Sequence, residues 1–586
     1  MVKGVKKQTY LKSQPAQWLL RLTRRLADTS LPEILLIASL VLSRWWANSD
    51  FSYPAEIGLP LLLFALLASL IFYFYRWVLG RGLVAHVAAL TLTACLYNYK
   101  FVTESSLGKL VINQVPDSIS GELANSLILL ALLAVVCALV GRGLGKVVAS
   151  SKTLKQLQLY RALLFTLLFV FAIQGLKAAQ RFLAIHEQLS YHYPDPDLVR
   201  KGGTITAKPD IYYLVFDRYG STETLKNIYS YDNSDLLNFL SSQGFINRTL
   251  AYANYPFTMS SVSSTMAMNY FPEFQKKFAD SGDWHSAFPY RSILNNPPIA
   301  QILKKDGYQY NQVSSWWDFT RVGIAADSNP TRSFRLTLLG RHFFLSDLQR
   351  DIINKSVLSP WLKKGLSLSN LSLLKYDLNL NPRQNFESQI AALKKLAARP
   401  DKSTPQFSFA HILVPHDPYI FTADGSTPSY SGDRTDEGVA ETIKYTNQLT
   451  YLNKRIKDLI ANIRRQSSNA AIVIQADEGP YPSEFRFQLK PGHYYDPAKL
   501  ALPQMKQKFS ILASYYMPGF DMQKLKEINA SVNTFRFILN NYLGYSLPLL
   551  PDCHLSTGDK FTVYNYQLVN EKLTGVSAPK ECGKYQ

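Results

Sequence analysis

At 586 residues the chain is too long for one ordinary domain, and its mean hydropathy of −0.07 averages a first part crowded with apolar residues, up to about position 180, and a remainder composed like a soluble domain. The net charge of +20 is shared by the two parts: residues 1–200 carry 20 Lys and Arg against 10 Asp and Glu, the rest 43 against 33. No nucleic-acid-binding motif accompanies that charge, which argues against nucleic acid and leaves a solvated basic surface, anionic lipid head groups or an anionic substrate.

Residues 1–30 form a basic start, with Lys3, Lys6, Lys7, Lys12, Arg21, Arg24 and Arg25. They contain no early apolar core followed by a small-residue cleavage site, so a cleavable signal peptide is not expected. Apolar runs long enough for a bilayer follow at Ile57–Tyr75, Gly82–Tyr99, Leu123–Gly141 and Leu157–Leu176. A weaker run, Leu31–Ala47, is interrupted by Glu33 and Arg44, so the membrane part over 31–180 has five spans, or four without it. Positive charge at 76–81 and 142–161 alternates with mixed or acidic loops, which places the start in the cytoplasm and, with five spans, residue 181 onward outside the cell membrane. Polar residues are too scattered within the spans to suggest an ion pathway, and a transporter reading is poor.

After a linker at 181–207 the pattern changes. Short β-rich runs alternate with helical periodicity: IYYLVF (211–216) before Asp217, a helical stretch at 235–243, FSFAHILV (407–414) before His416, a long helix over 439–463, AAIVIQA (470–476) before Asp477, and FSILASYY (509–516). Helices are expected near 334–350 and 384–398. Strands apolar on both faces with helices between them predict an α/β domain over 208–550, with a mostly parallel sheet covered on both sides. Ligands bind outside the carboxyl ends of such strands, and Asp217, His416 and Asp477 each stand at one. Singly, each reads better as a turn former or cap; three together point to a site. Cys95 and Cys137 fall inside apolar runs, whereas Cys553 and Cys582 share the tail at 551–586, where an extracytoplasmic setting allows a bridge.

Four motifs resemble the alkaline phosphatase and sulfatase superfamily, and the layout of spans plus outer domain is similar to lipoteichoic acid synthases and phosphoethanolamine transferases. PDIYYLVFDRYGS (209–221) resembles the opening strand that ends in an acidic metal ligand, here Asp217. NYPFTMSSVSSTMAMNYF (254–271) is similar to the helix start that carries the nucleophile: Thr258, with Ser260 and Ser261 as alternatives. AHILVPHDPYIF (410–421) resembles the segment whose His contacts the substrate or leaving group, which gives His416 that role and leaves His411 as a core residue. VIQADEGPYP (473–482) resembles Asp-His-Gly, but Glu478 occupies the His position. His493, in KPGHYYD, is a further candidate substrate contact.

The resemblance implies one divalent cation (Mn²⁺, Mg²⁺ or Zn²⁺) held by Asp217, Thr258, Asp477 and Glu478, the last favouring a hard ion or signalling that metal binding is lost. It also implies a membrane-bound transferase or hydrolase of the phosphoglycerol or phosphoethanolamine type. Such an enzyme transfers phosphoryl or sulfuryl groups of membrane phospholipids, glycolipids or envelope polymers through a covalent threonine intermediate. The rival is a non-catalytic scaffold or glycan-binding protein of the same fold.

Overall fold

The computed structural model describes residues 14–585 apart from 81, 116–120, 150–152, 197–202, 281–285, 322, 332–334, 339–340, 365, 369–370, 377–381, 433–438, 483–496, 521–523, 529 and 558–562. The chain forms two compact units, residues 1–184 with 335–377, and residues 185–334 with 378–586.

In the first unit, α1 (Gln14–Leu26) lies in the basic start, and further helices stand where apolar runs were expected: α2 (Leu31–Asn48), α3 (Gly58–Leu79), α4 (Leu83–Tyr97), α5 (Glu122–Ala149) and α6 (Thr153–Leu189). Stretches at Pro54–Leu79, Leu123–Gly143 and Gln156–Leu189 are long and apolar enough to cross a membrane, and Leu83–Tyr97 is a shorter apolar helix. Leu62, Leu66, Leu70, Phe165 and Phe169 are exposed along α3 and α6, an apolar exterior that suits lipid rather than water. One polar contact joins α2 to α4: His86 Nδ1 lies 2.9 Å from Glu33 Oε1, and the imidazole stacks on Phe72. Arg181, near the far end of α6, pairs with Asp50 and donates to Ser49 Oγ at 2.8 Å.

Residues 335–377 belong to this unit. The helix expected near 334–350 is instead a pair of antiparallel strands, Arg335–Leu338 and Arg341–Phe344, followed by a helix at Asp347–Lys355. Alternating RLTL and RHFF favour strands, and the capping box of Ser346 and Gln349 fixes the helix start. Leu348 and Ile352 of that helix pack with Ile37, Val41, Phe64 and Tyr97.

The second unit is built on a six-stranded sheet of β1 (Ile211–Phe216), β2 (Ile246–Asn247), β3 (Gln309–Val313), β4 (Gln406–Ile412), β5 (Ala471–Gln475) and β6 (Ala513–Tyr516), in the order β2-β6-β5-β1-β4-β3. β5, β1, β4 and β3 are mutually parallel, and β6 runs antiparallel. The expected strand at 509–516 keeps only its last four residues, because a helix continues to Phe509 before it.

Both faces are covered, as runs apolar on alternate residues require. Tyr212, Leu214 and Phe216 of β1 pack with Ile390 and Leu393 of α7 (Pro382–Ala397) and with Leu449 and Ile456 of α8 (Glu441–Gln466). Ile211, Tyr213 and Val215 face the opposite way and pack with Val262 and Met266 of the helix Thr258–Ala267. Beside that helix an aromatic cluster of Tyr255, Tyr270, Phe271, Phe274 and Tyr290 encloses a disulfide between Cys553 and Cys582.

That bond closes a loop of sequence separation 29, which constrains the unfolded chain by about 3–4 kcal/mol. Alkylation of the unfolded, unreduced chain should therefore modify Cys95 and Cys137 alone. Cys582→Ser should lower the denaturant midpoint of the second unit; reaction at four cysteines would contradict the bridge.

Candidate metal centre

Parallel pairing places three strand ends side by side. In the central trio β5-β1-β4, Val215 is level with Gln475 on one side and with His411 on the other. Side chains alternate along a strand, so His411 shares a face with Phe407 and Phe409, and Asp217 and Asp477 continue the faces of Val215 and Gln475. That is the face covered by the helix beginning at Thr258.

The result is a buried cluster. Asp217, His411 and Asp477 each offer a ligand atom, all within 4.8 Å of one another. His411 Nε2 is 3.5 Å from Asp217 Oδ2 and 3.9 Å from Asp477 Oδ2. Ligands 2.0–2.1 Å from a tetrahedral ion stand roughly 3.3 Å apart, so small movements would close the set around one cation. The donor chemistry agrees. Asp217 Oδ1, His411 Nε2 and Asp477 Oδ2 are buried without a hydrogen-bond partner among the described residues, a costly state that an ion relieves. The other ring nitrogen of His411 lies 2.9 Å from Thr320 Oγ1, which orients the imidazole as an outer partner does for a metal-bound histidine.

Electrostatics say the same. Burial, then the charges of Asp217 and Glu478, push the Asp477 carboxyl up to about 7. Burial also disfavours the Asp217 carboxylate, but the charges of His416, His411 and Arg218 outweigh it and hold this carboxyl below its usual range. Two facing carboxylates are thus pushed apart, as happens when a site lacks the positive charge to ionise both.

Thr258 is the first residue of its helix, and its hydroxyl is among the nearby groups that favour the ionised Asp477 carboxyl. Ser261 N–H donates to Phe257 O at 2.9 Å, so the amides of Thr258, Met259 and Ser260 precede the first helical bond and remain as anion donors. Ser261 Oγ donates to Asp477 O at 2.6 Å and Ser260 Oγ to Phe257 O at 3.1 Å; both hydroxyls are occupied and buried, which separates them from the half-buried Thr258.

His416 is partly exposed at the rim, with Nδ1 against the Asp417 carbonyl oxygen. Its loop is held from α8, where Gln448 Nε2 donates to the carbonyls of Pro415 and His416 at 3.1 and 3.0 Å. His493 lies outside the described residues.

Two expectations change. Glu478 is not among the three clustered residues: one of its oxygens lies 2.9 Å from Arg218 Nε and the other 2.7 Å from Lys508 Nζ. His411, read as core, stands in the cluster. Alternation along FSFAHIL puts His411 on one face with Phe407 and Phe409, but only its register against Val215 shows that this face carries Asp217. Nothing in the sequence singled out Arg218 or Lys508.

A profile of the family described as Sulfatase matches residues 227–539. No curated protein sequence matches. Among solved structures the chain is similar to the integral membrane lipooligosaccharide phosphoethanolamine transferase A (EptA) of Neisseria meningitidis, at 11% identity over 90% of this chain and 97% of that one, with a TM-score of 0.35. The C-terminal periplasmic domain of EptC from Escherichia coli gives 12%, 62%, 93% and 0.35. The lipoteichoic acid synthase LtaP of Listeria monocytogenes gives 10%, 66%, 81% and 0.33. Values this low transfer no activity.

The metal-free cluster has a pH signature. Above about pH 5 the unfolded chain has lost the Asp477 proton and the folded chain keeps it, whereas Asp217 is ionised in both states. The contribution of Asp477 is full below its unfolded pKa and falls as pH rises toward 7, by about 2 kcal/mol between pH 5.5 and 7. Metal-stripped protein should lose stability over that window and Asp477→Asn should not; equal slopes in denaturant titrations would contradict the cluster.

Proposed function

The chain belongs to the sulfatase family, and we propose that it is a membrane-bound, metal-dependent transferase or hydrolase that moves a phosphoryl or sulfuryl group of a cell-envelope lipid or polymer through Thr258. One observation carries this reading: Asp217, Asp477 and His411 converge at adjacent strand ends beside a helix that begins with Thr258. Imidazole with two carboxylates suits Zn²⁺ or Mn²⁺ better than Mg²⁺. When bound, such a cation supplies the Lewis-acid charge that lowers the pKa of the threonine hydroxyl and polarises a non-bridging ester oxygen.

The chain's own residues do the rest. Asp477 orients the Thr258 hydroxyl and accepts its proton while Oγ1 forms a bond to phosphorus or sulfur. The free amides at the helix start face the negative charge that builds on the ester oxygens. The bond to the leaving oxygen breaks, and His416, at the open side of the cluster, gives that oxygen a proton. In the second half an acceptor hydroxyl or water loses its proton to His416 and attacks the phospho- or sulfo-threonine. Thr258 leaves and regains its proton.

Setting supports substrate class. On the five spans read from the sequence, with their basic loops cytoplasmic, we assign the second unit to the outside of the cell membrane, a setting in which a Cys553–Cys582 bridge is stable and lipid head groups are at hand.

The test uses the full-length protein in vesicles that contain candidate donor lipids. Thr258→Ala should bind as much Zn²⁺ or Mn²⁺ as the unaltered chain, yet lose turnover by at least about 10³-fold together with the added mass on the Thr258 peptide. Unchanged turnover removes Thr258 from the reaction. A chain that binds no stoichiometric cation favours the rival scaffold.

A further inference from the structure

A cavity of about 360 Å³ lies in the second unit, at the far end of the helix that begins with Thr258. That helix has 10 residues, so its last, Ala267, stands roughly 14 Å along the axis from its first. Ala267 lines the cavity, whereas Asp217, His411 and Asp477 do not. The space is therefore separate from the metal centre.

Its walls follow from the path of the chain. Met268 ends the helix at φ +55°, with its amide donating to Thr265 O at 3.2 Å and that of Asn269 to Ser264 O at 3.1 Å. The chain then turns into the helix Pro272–Phe278, whose first turn carries Glu273. Pro194 and Pro196 form another wall, and a proline has no amide hydrogen with which to close the space.

The charges carry the argument. Arg536, on the helix Thr534–Leu543, donates from Nε to Met268 O and from Nη1 to Pro548 O, both at 2.8 Å. These carbonyls brace the guanidinium and leave Nη2 without a hydrogen bond among the described residues. Glu273 and Asp195 line the same cavity. Among the described residues none of the three forms an ion pair, with one another or with anything else. Burial raises the Glu273 carboxyl above its usual range and lowers the Arg536 guanidinium, so both charged forms are short of an opposite charge.

Opposite charges that share a cavity and pair with nothing call for a ligand that carries both signs. An open guanidinium edge takes a carboxylate, and a carboxylate takes an ammonium. Two carboxylates against one guanidinium suit a singly charged carboxylate better than a phosphate dianion. Tyr193, Met268 and Leu547 supply apolar lining, and the volume falls at the lower end of small-ligand pockets, about 300–1,000 Å³.

We propose that this cavity binds an amino acid or short peptide with an apolar side chain, its carboxylate on Arg536 and its ammonium on Glu273. The site goes beyond the metal-centred reading and does not depend on it.

Calorimetry on the full-length protein in detergent tests the site with leucine and with alanyl-leucine, which separate a free amino acid from a peptide. At least one should bind with a Kd below about 1 mM, and its N-acetyl derivative, which lacks the ammonium, at least about tenfold more weakly. Glu273→Gln should weaken the zwitterion by a similar factor and leave the N-acetyl derivative unchanged, because both changes remove the same pair. Arg536→Gln should weaken both ligands; Glu273→Gln keeps the test decisive if the loss of two braced carbonyls unfolds that variant. No binding of either zwitterion overturns the inference. So does equal affinity for the N-acetyl derivative, or binding that Glu273→Gln leaves unchanged. None of these outcomes bears on the metal centre, whose ligands lie outside the cavity.

Discussion

Two carboxylates that cannot both be charged organise this molecule. Asp217 and Asp477 end neighbouring parallel strands, are almost fully buried, and face the same histidine nitrogen. In water they would repel weakly; inside a protein each close pair of like charges forces one to keep its proton or requires a cation between them. The strand order β5-β1-β4 sets that constraint, and the surrounding residues answer it with His411, the helix start at Thr258 and the positive charges of Arg218 and Lys508.

Much of this was legible in the sequence, and the legible parts share a cause. Strands apolar on both faces can only lie inside a covered sheet, so IYYLVF and AAIVIQA located β1 and β5, and Asp217 and Asp477 after them marked the carboxyl ends. What escaped depends on pairing between distant segments. His411 is indistinguishable from a core histidine until its register against Val215 is known. Glu478 carries a carboxylate suited to a metal, and only the folded chain shows that it is ion-paired with Arg218 and Lys508. The hairpin at 335–344 was hidden because apolar residues in a short run fit either periodicity.

The division of labour between the two units follows composition. Leucines and phenylalanines on the outside of α3 and α6 have no place in water, whereas the second unit buries its apolar residues on two faces of a sheet and closes its tail with a disulfide. Residues 335–377 cross that division in sequence: they leave the chain between β3 and β4 and pack Leu348 and Ile352 with the helices of the first unit. The chain therefore cannot be cut at one point into its two units.

Anomalous diffraction from crystals of the full-length protein, soaked in Zn²⁺ or Mn²⁺, addresses the centre most directly. One peak is predicted about 2.0–2.2 Å from Asp217, Asp477 and His411 Nε2, with Glu478 still bound to Arg218 and Lys508. No peak there, or a peak coordinated by Glu478 in place of His411, would contradict the account.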